Sequence, residues 1–299
     1  MSEPIVIAFA TQKGGAGKST ITVHVASALA YVYGYKVAIL DCDYPQNTIQ
    51  VYRNQELQKV KTDAVFKDRV LNQGLKPYPV SISSVEKAVD SIEALEQQGY
   101  DFILVDTPGT INIAGLPDLL RMVQYIFLPM EADQGTIAST VGYMQILSGF
   151  LKSAQPDPDE SNLLSFHAFW NRFVKSEKKA TYDKIEAFFE EKDLPLLQSR
   201  VELLIGYKEK RSTLFSLPER ELEKLGLGSL VLEILSVVLG PGQVTPSGKT
   251  ITMPTQPSNN DELPSGPVTR ELPSAPVIRE LPSATVASSN AATASDDSL

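Results

Sequence analysis

The feature that most narrows what this chain can become lies in its first twenty residues. The apolar run 5–10 leads into Lys13-Gly-Gly-Ala-Gly-Lys-Ser-Thr20, which opens a segment of helical periodicity over residues 17–33. A strand that turns through glycines into a helix N-terminus is the setting in which such a loop holds phosphate. Gly14, Gly15 and Gly17, with the small Ala16 between them, let successive backbone N–H groups point into one concavity. The start of the helix adds partial positive charge. Lys18 is placed to reach the β- and γ-phosphates of a nucleotide, and the Ser19 hydroxyl, followed by Thr20, to ligate Mg2+. The general phosphate-loop pattern requires glycine at position 12, where this chain has Gln12; Lys13 instead begins a variant form.

The rest of the chain alternates in the way such a loop requires. Short apolar runs at 36–40, 102–105, 125–130 and 163–170, with a weaker one at 197–204, read as strands. Segments of helical period lie between them at 46–61, 84–98, 135–152 and 180–192. Strands apolar on both faces, alternating with helices, predict an α/β domain with a doubly wound, mostly parallel sheet covered on both sides. We expect that domain over residues 1–240, with an edge strand at 79–83 and closing helices near 218–225 and 229–239. From residue 241 Pro, Ser, Thr, Ala and Asn dominate, and a nine-residue unit starting at Glu262 recurs at Glu271 and, decayed, at Glu280. Such a composition buries too little apolar surface to offset its ordering entropy, so 241–299 is expected to be a disordered tail.

Two predicted strands end in carboxylates. After the run 37–40 come Asp41, Cys42 and Asp43, and strand alternation puts the two aspartates on one side and Cys42 on the other. Asp106 follows four apolar residues, at the carboxyl end of a strand, where doubly wound sheets bind ligands and a carboxylate holds Mg2+ directly or through water. Composition excludes other classes. The net charge of −9 is not that of a polybasic nucleic-acid binder, and a lone cysteine excludes a disulfide framework or a multi-thiolate cluster. His24 and His167 have no ligand spacing, and neither a signal peptide nor a membrane-spanning run is evident, so the expected compartment is the cytoplasm.

The loop, the Asp41-Cys-Asp43-Tyr-Pro-Gln46 segment and the Asp106-Thr-Pro-Gly109 segment together resemble the ParA/MinD family of P-loop ATPases with a deviant phosphate loop. The resemblance covers about the whole predicted domain and is nearest to ParA-like proteins of conjugative elements. It implies ATP and Mg2+ as cofactors and slow, partner-stimulated hydrolysis. It also implies a nucleotide-sandwiched homodimer in which Lys13 crosses to the partner's phosphates. By the same match Asp43 would position the attacking water, Asp41 would lie near the Mg2+ shell beside Ser19 and Asp106, and Asn171 would read the adenine edge. Tyr44 is inserted relative to the family's Asp-x-Asp-Pro-Gln switch.

The function implied is an ATP-driven switch in DNA partition or conjugative DNA transfer, with an unidentified stimulating protein. Non-specific DNA would be met through some of the nine basic residues between Lys175 and Arg211, a stretch that also holds eight acids. Two alternatives are a MinD-like membrane-positioning ATPase and a small-molecule ligase on the same fold. The first needs a basic amphipathic C-terminal helix, which the last predicted helix does not supply.

Overall fold

The computed structural model describes residues 3–12, 14–151, 161–175, 179–203 and 210–253. Lys13 and residues 254–299, with the nine-residue repeats, lie outside the described residues. All described residues fall in one unit, Met1–Gln256.

Among the described residues seven strands form one sheet: β1 (Ile5–Phe9), β2 (Val37–Asp41), β3 (Val80–Ile82), β4 (Phe102–Asp106), β5 (Tyr125–Met130), β6 (Ser165–Phe173) and β7 (Leu196–Glu202). Their order is β3-β2-β4-β1-β5-β6-β7, and every pairing is parallel. The expected edge strand is β3, beside β2.

Between the strands run α1 (Lys18–Tyr31), α2 (Thr48–Thr62), α3 (Ala64–Leu71), α4 (Ala88–Glu96), α5 (Leu116–Met122), α6 (Gln134–Ser148) and α7 (Lys179–Glu191). After β7 come α8 (Glu219–Lys224) and α9 (Leu227–Leu239). The short helices α3 and α5 were not expected from periodicity. Each is defined by local chemistry: Asp63 caps α3 by accepting from the Phe66 N–H at 3.0 Å, and Pro117 lies in the first turn of α5, which follows the left-handed Gly115.

The strands alternate their side chains between two cores. Ile7, Phe9, Val37, Ile39, Phe102 and Leu104 pack with α1 and α9 on one face. Val6, Ala8, Ala38, Leu40, Ile103 and Val105 pack with α4, α5 and α6 on the other. Helix α1 lies between sheet and solvent-side helices with eleven of its fourteen residues buried, so it has no polar face to show. Edge strand β7 is closed by a buried carboxylate. Glu233 of α9 accepts from the Gln198 and Ser199 N–H groups at 2.8 and 2.9 Å, satisfying backbone donors that a free edge would leave bare.

Packing continues past residue 240, which corrects the boundary expected from composition. Residues 241–253 turn back through a Val244–Thr250 bridge, the Ser247 N–H donates to the Tyr33 carbonyl at 3.1 Å, and Ile251 is 1% exposed. One buried isoleucine and a few backbone bonds anchor such a turn, which an average over composition does not register. No helix among the described residues is long and apolar enough to cross a membrane.

Candidate nucleotide-binding site

Strand β1 has β4 on one side and β5 on the other, so the chain winds away from it in both directions. The crevice above its carboxyl end is where this class of sheet binds ligands. A cavity of about 550 Å³ opens there. Its floor is the glycine loop and the first turn of α1, with Ser19 and Thr20; Asp43 and Gly109 stand on its walls.

The loop needs its glycines at specific points. Gly17 caps α1 with φ +84°, and a Cβ there would meet the Asn171 amide nitrogen at 2.7 Å. Asn171, 1% exposed, donates from Nδ2 to the Ala16 carbonyl at 2.6 Å. It therefore braces the loop from behind, while its buried Oδ1 has no hydrogen-bond partner. Gly109, in the loop after β4, leans on Gly14 from the opposite side.

Lys18 is 6% exposed, and its Nζ donates to Asp106 Oδ1 at 2.8 Å. Asp106 is fully buried, and its Oδ2 has no hydrogen-bond partner. Removing two charges from water is costly, and the mutual attraction of the pair offsets part of that cost. An anion entering the loop would compete for the lysine, and the unpartnered carboxylate oxygen would accept a cation. That fits Mg2+ held by Ser19, Asp106, phosphate oxygens and water, the partly hydrated arrangement this ion favours. Among the described residues no cluster of three or more His, Cys, Asp or Glu side chains forms an all-protein metal cage.

Asp41 lies opposite Asp106 in the β2–β4 register, and Cys42 turns to the opposite core, as alternation predicts. Both oxygens of Asp41 are engaged by backbone. Oδ1 accepts from the Asp43 N–H at 3.3 Å, and Oδ2 from Ile49 and Gln50 at 2.9 and 3.1 Å. It thus serves the N-terminus of α2, whose nominal cap, Asn47, makes no such bond. Burial raises its pKa; the Gln50 N–H opposes that shift, Asp106 adds to it, and the Asp43 and Ile49 N–H groups lower it again. Asp43 is half-buried in the cavity wall, and its pKa is likewise raised, first by burial and then by Asp106, against the pull of Lys18. The inserted Tyr44 is 65% exposed at the mouth, followed by a cis Tyr44–Pro45 peptide.

Tyr52 and Arg172 are among the cavity residues that the sequence does not single out. Tyr52, one turn into α2, lines the cavity and carries Arg211 over its ring at 3.5 Å. Arg172 lines it from the β6 side. The only available signal for Arg172 was its place directly after Asn171 at a strand end. In the basic stretch between Lys175 and Arg211 four of the nine cations are paired: Lys175, Lys192, Arg200 and Lys210 with Glu202, Glu191, Glu186 and Glu221. Lys178 and Lys208 lie outside the described residues.

Comparison with known proteins finds similarity in the amino-terminal part of the chain and in the fold. Residues 5–116 match the family model described as ATPase MipZ. Over 176 residues the chain is 24% identical to the chromosome partitioning protein ParA of Caulobacter vibrioides, covering 50% of this chain and 65% of that protein, less than two thirds of its length. Among solved structures, a chain of the MinC:MinD cell division protein complex of Aquifex aeolicus superposes with TM-score 0.53 at 17% identity, over 82% of this chain and 99% of that one. A variant of Cyanothece McdA in complex with ATP gives 0.54 at 17% identity, over 82% and 100%. Those identities speak for the fold alone, while the loop, the paired lysine and the acidic strand ends carry the likeness into the site. The chain is thus similar to ParA/MinD-type ATPases in its amino-terminal part and shares their α/β fold.

Proposed function

We propose that this chain is an ATP-dependent switch that dimerises with ATP bound, hydrolyses it to ADP and phosphate, and acts in DNA partition or conjugative DNA transfer. The observation that carries the reading is the buried Lys18–Asp106 pair on the floor of a cavity walled by Asp43. On nucleotide binding, Lys18 turns from Asp106 to the terminal phosphates, and the glycine-loop N–H groups receive the remaining phosphate oxygens. Mg2+, held by Ser19 and Asp106, would supply charge neutralisation at those oxygens. Asp43, whose raised pKa makes its carboxylate the better acceptor, orients a water for attack on the terminal phosphate. The sandwiched dimer and the trans role of Lys13 rest on the sequence resemblance. So does DNA as target, a reading in keeping with the chromosome-partitioning role in the name of the Caulobacter relative.

Equilibrium binding and turnover test this. Lys18→Ala is expected to lose ATP binding or turnover, and a wild-type rate in that variant would sink the assignment. Asp43→Ala should bind ATP, turn it over on the order of 100-fold more slowly, and accumulate as a dimer. A monomer with ATP bound would count against the sandwich. With the dimer confirmed, duplex DNA binding that depends on ATP and weakens with salt tests the DNA part separately.

A further inference from the structure

Strands β5 and β6 run parallel with Met130 opposite Trp170, so the residues that follow emerge side by side at the same end of the sheet. Glu131 and Arg172 are two of them, and they meet: Arg172 Nη1 donates to Glu131 Oε1 at 2.8 Å, with side chains 17% and 30% exposed. Arg172 has φ +55°, a left-handed conformation uncommon outside glycine, asparagine and aspartate. Such outliers cluster at functional sites, where surrounding packing holds them.

The other edge of the guanidinium faces the phosphate loop. A Cβ built on Gly17 would lie 3.8 Å from Arg172 Nε and 3.9 Å from Nη2. The Nε atom is buried and has no hydrogen-bond partner. A buried N–H without an acceptor is costly, so this edge is incomplete as it stands. Nε–H and Nη2–H are parallel donors whose spacing matches two oxygens of one phosphate. Topology says which phosphate. Asp43 and Asp106 follow or end β2 and β4, on one side of β1, whereas β5 and β6 lie on the other. With the terminal phosphate beside Lys18 and Asp43, the proximal one is directed towards β6.

We propose that Arg172 is a binding residue for the α-phosphate of the nucleotide, held in place by Glu131. This rests on the nucleotide-binding reading above. Glu131 orients the guanidinium while offsetting part of its charge, so the pair sets affinity in opposite directions.

The test is equilibrium binding of MgADP and MgATP to the full chain, for wild type, Arg172→Gln, Arg172→Lys and Glu131→Gln. Arg172→Gln is expected to weaken ADP and ATP alike by about tenfold or more, the scale of a hydrogen bond to a charged group. Arg172→Lys, which keeps the charge and loses the paired donors, should fall between. Glu131→Gln keeps an acceptor for Nη1 and removes a negative charge near the phosphate, so both nucleotides should bind a few-fold more tightly. Unchanged binding in Arg172→Gln would overturn the proposal. A loss confined to ATP would also overturn it, because that places the arginine at the terminal phosphate. Weakening in Glu131→Gln equal to that in Arg172→Gln would reduce the pair to a structural tie. If Arg172→Gln melts early or does not fold, the lysine and Glu131→Gln variants decide the matter. Failure of the wild type to bind either nucleotide would instead remove the reading on which the proposal stands.

Discussion

The side chains on which the site depends are charged groups kept out of water, and each is kept there by a specific partner. Lys18 has Asp106, Arg172 has Glu131, and Asp41 has three backbone N–H groups. His167 shows what happens without a charged partner. It stacks on Phe127 at 5.9 Å, meets only the Ser165 hydroxyl at 3.1 Å, and burial pushes its pKa down to about 4. The unfolded chain therefore takes up a proton near the ordinary histidine value while the folded chain does not. Stability should be full above about pH 6.5 and fall as the pH drops from there to about 4, by roughly 1–3 kcal/mol given the partial exposure. Urea unfolding of wild type and His167→Gln from pH 4 to 7.5 would show it; a difference between the two that stays constant with pH would contradict the assignment. The charge-bearing residues of the loop and strand ends were visible in the sequence because their types and spacing are local. The lysine's partner was not, since Lys18 and Asp106 stand 88 positions apart in the chain and meet only once it has been wound through the sheet.

At the scale of elements, helices and strands follow from period and from the residues at their ends, but their exact contacts do not. Gly226 begins α9 with φ +72°, and a Cβ there would lie 2.1 Å from the Arg200 carbonyl oxygen on β7. Gly242, with φ +83°, has open space around it. Gly226→Ala should thus cost about 2–4 kcal/mol, because the helix start must move off the strand, and Gly242→Ala only about 1 kcal/mol for the backbone conformation. Denaturant midpoints of the two variants would separate the effects, and equal losses would show that the α9–β7 contact yields easily. The sequence offers the same letter at both positions. Only the packing of α9 against β7 distinguishes a glycine required by a neighbour from one required by a turn.

For the whole unit, the folded boundary is a matter of what covers the end of α1. Residues 241–253 place Ile251 in the core and bind the turn at Tyr33, with Lys249 over the Tyr33 ring at 5.6 Å. A chain ending at residue 253 should therefore be more stable than one ending at 240, by about 1.5–3 kcal/mol for the isoleucine alone. Thermal melts of the two truncations would measure this, and coincident transitions would show that the turn adds nothing.

The class of fold was legible in the residues alone, and so were the places of the glycine loop before α1 and of the carboxylates at the ends of β2 and β4. These depend on short-range order: period-two and period-3.6 burial, glycines where backbone must approach an anion, carboxylates where a strand stops. Tertiary structure alone decided that Asp41 serves a helix start, that Asn171 braces the loop at Ala16, and that Arg172 enters the cavity. Each of those roles depends on a hydrogen-bond or ion-pair partner chosen by the order of the strands, and strand order is set by the packing of the whole sheet between its two layers of helices.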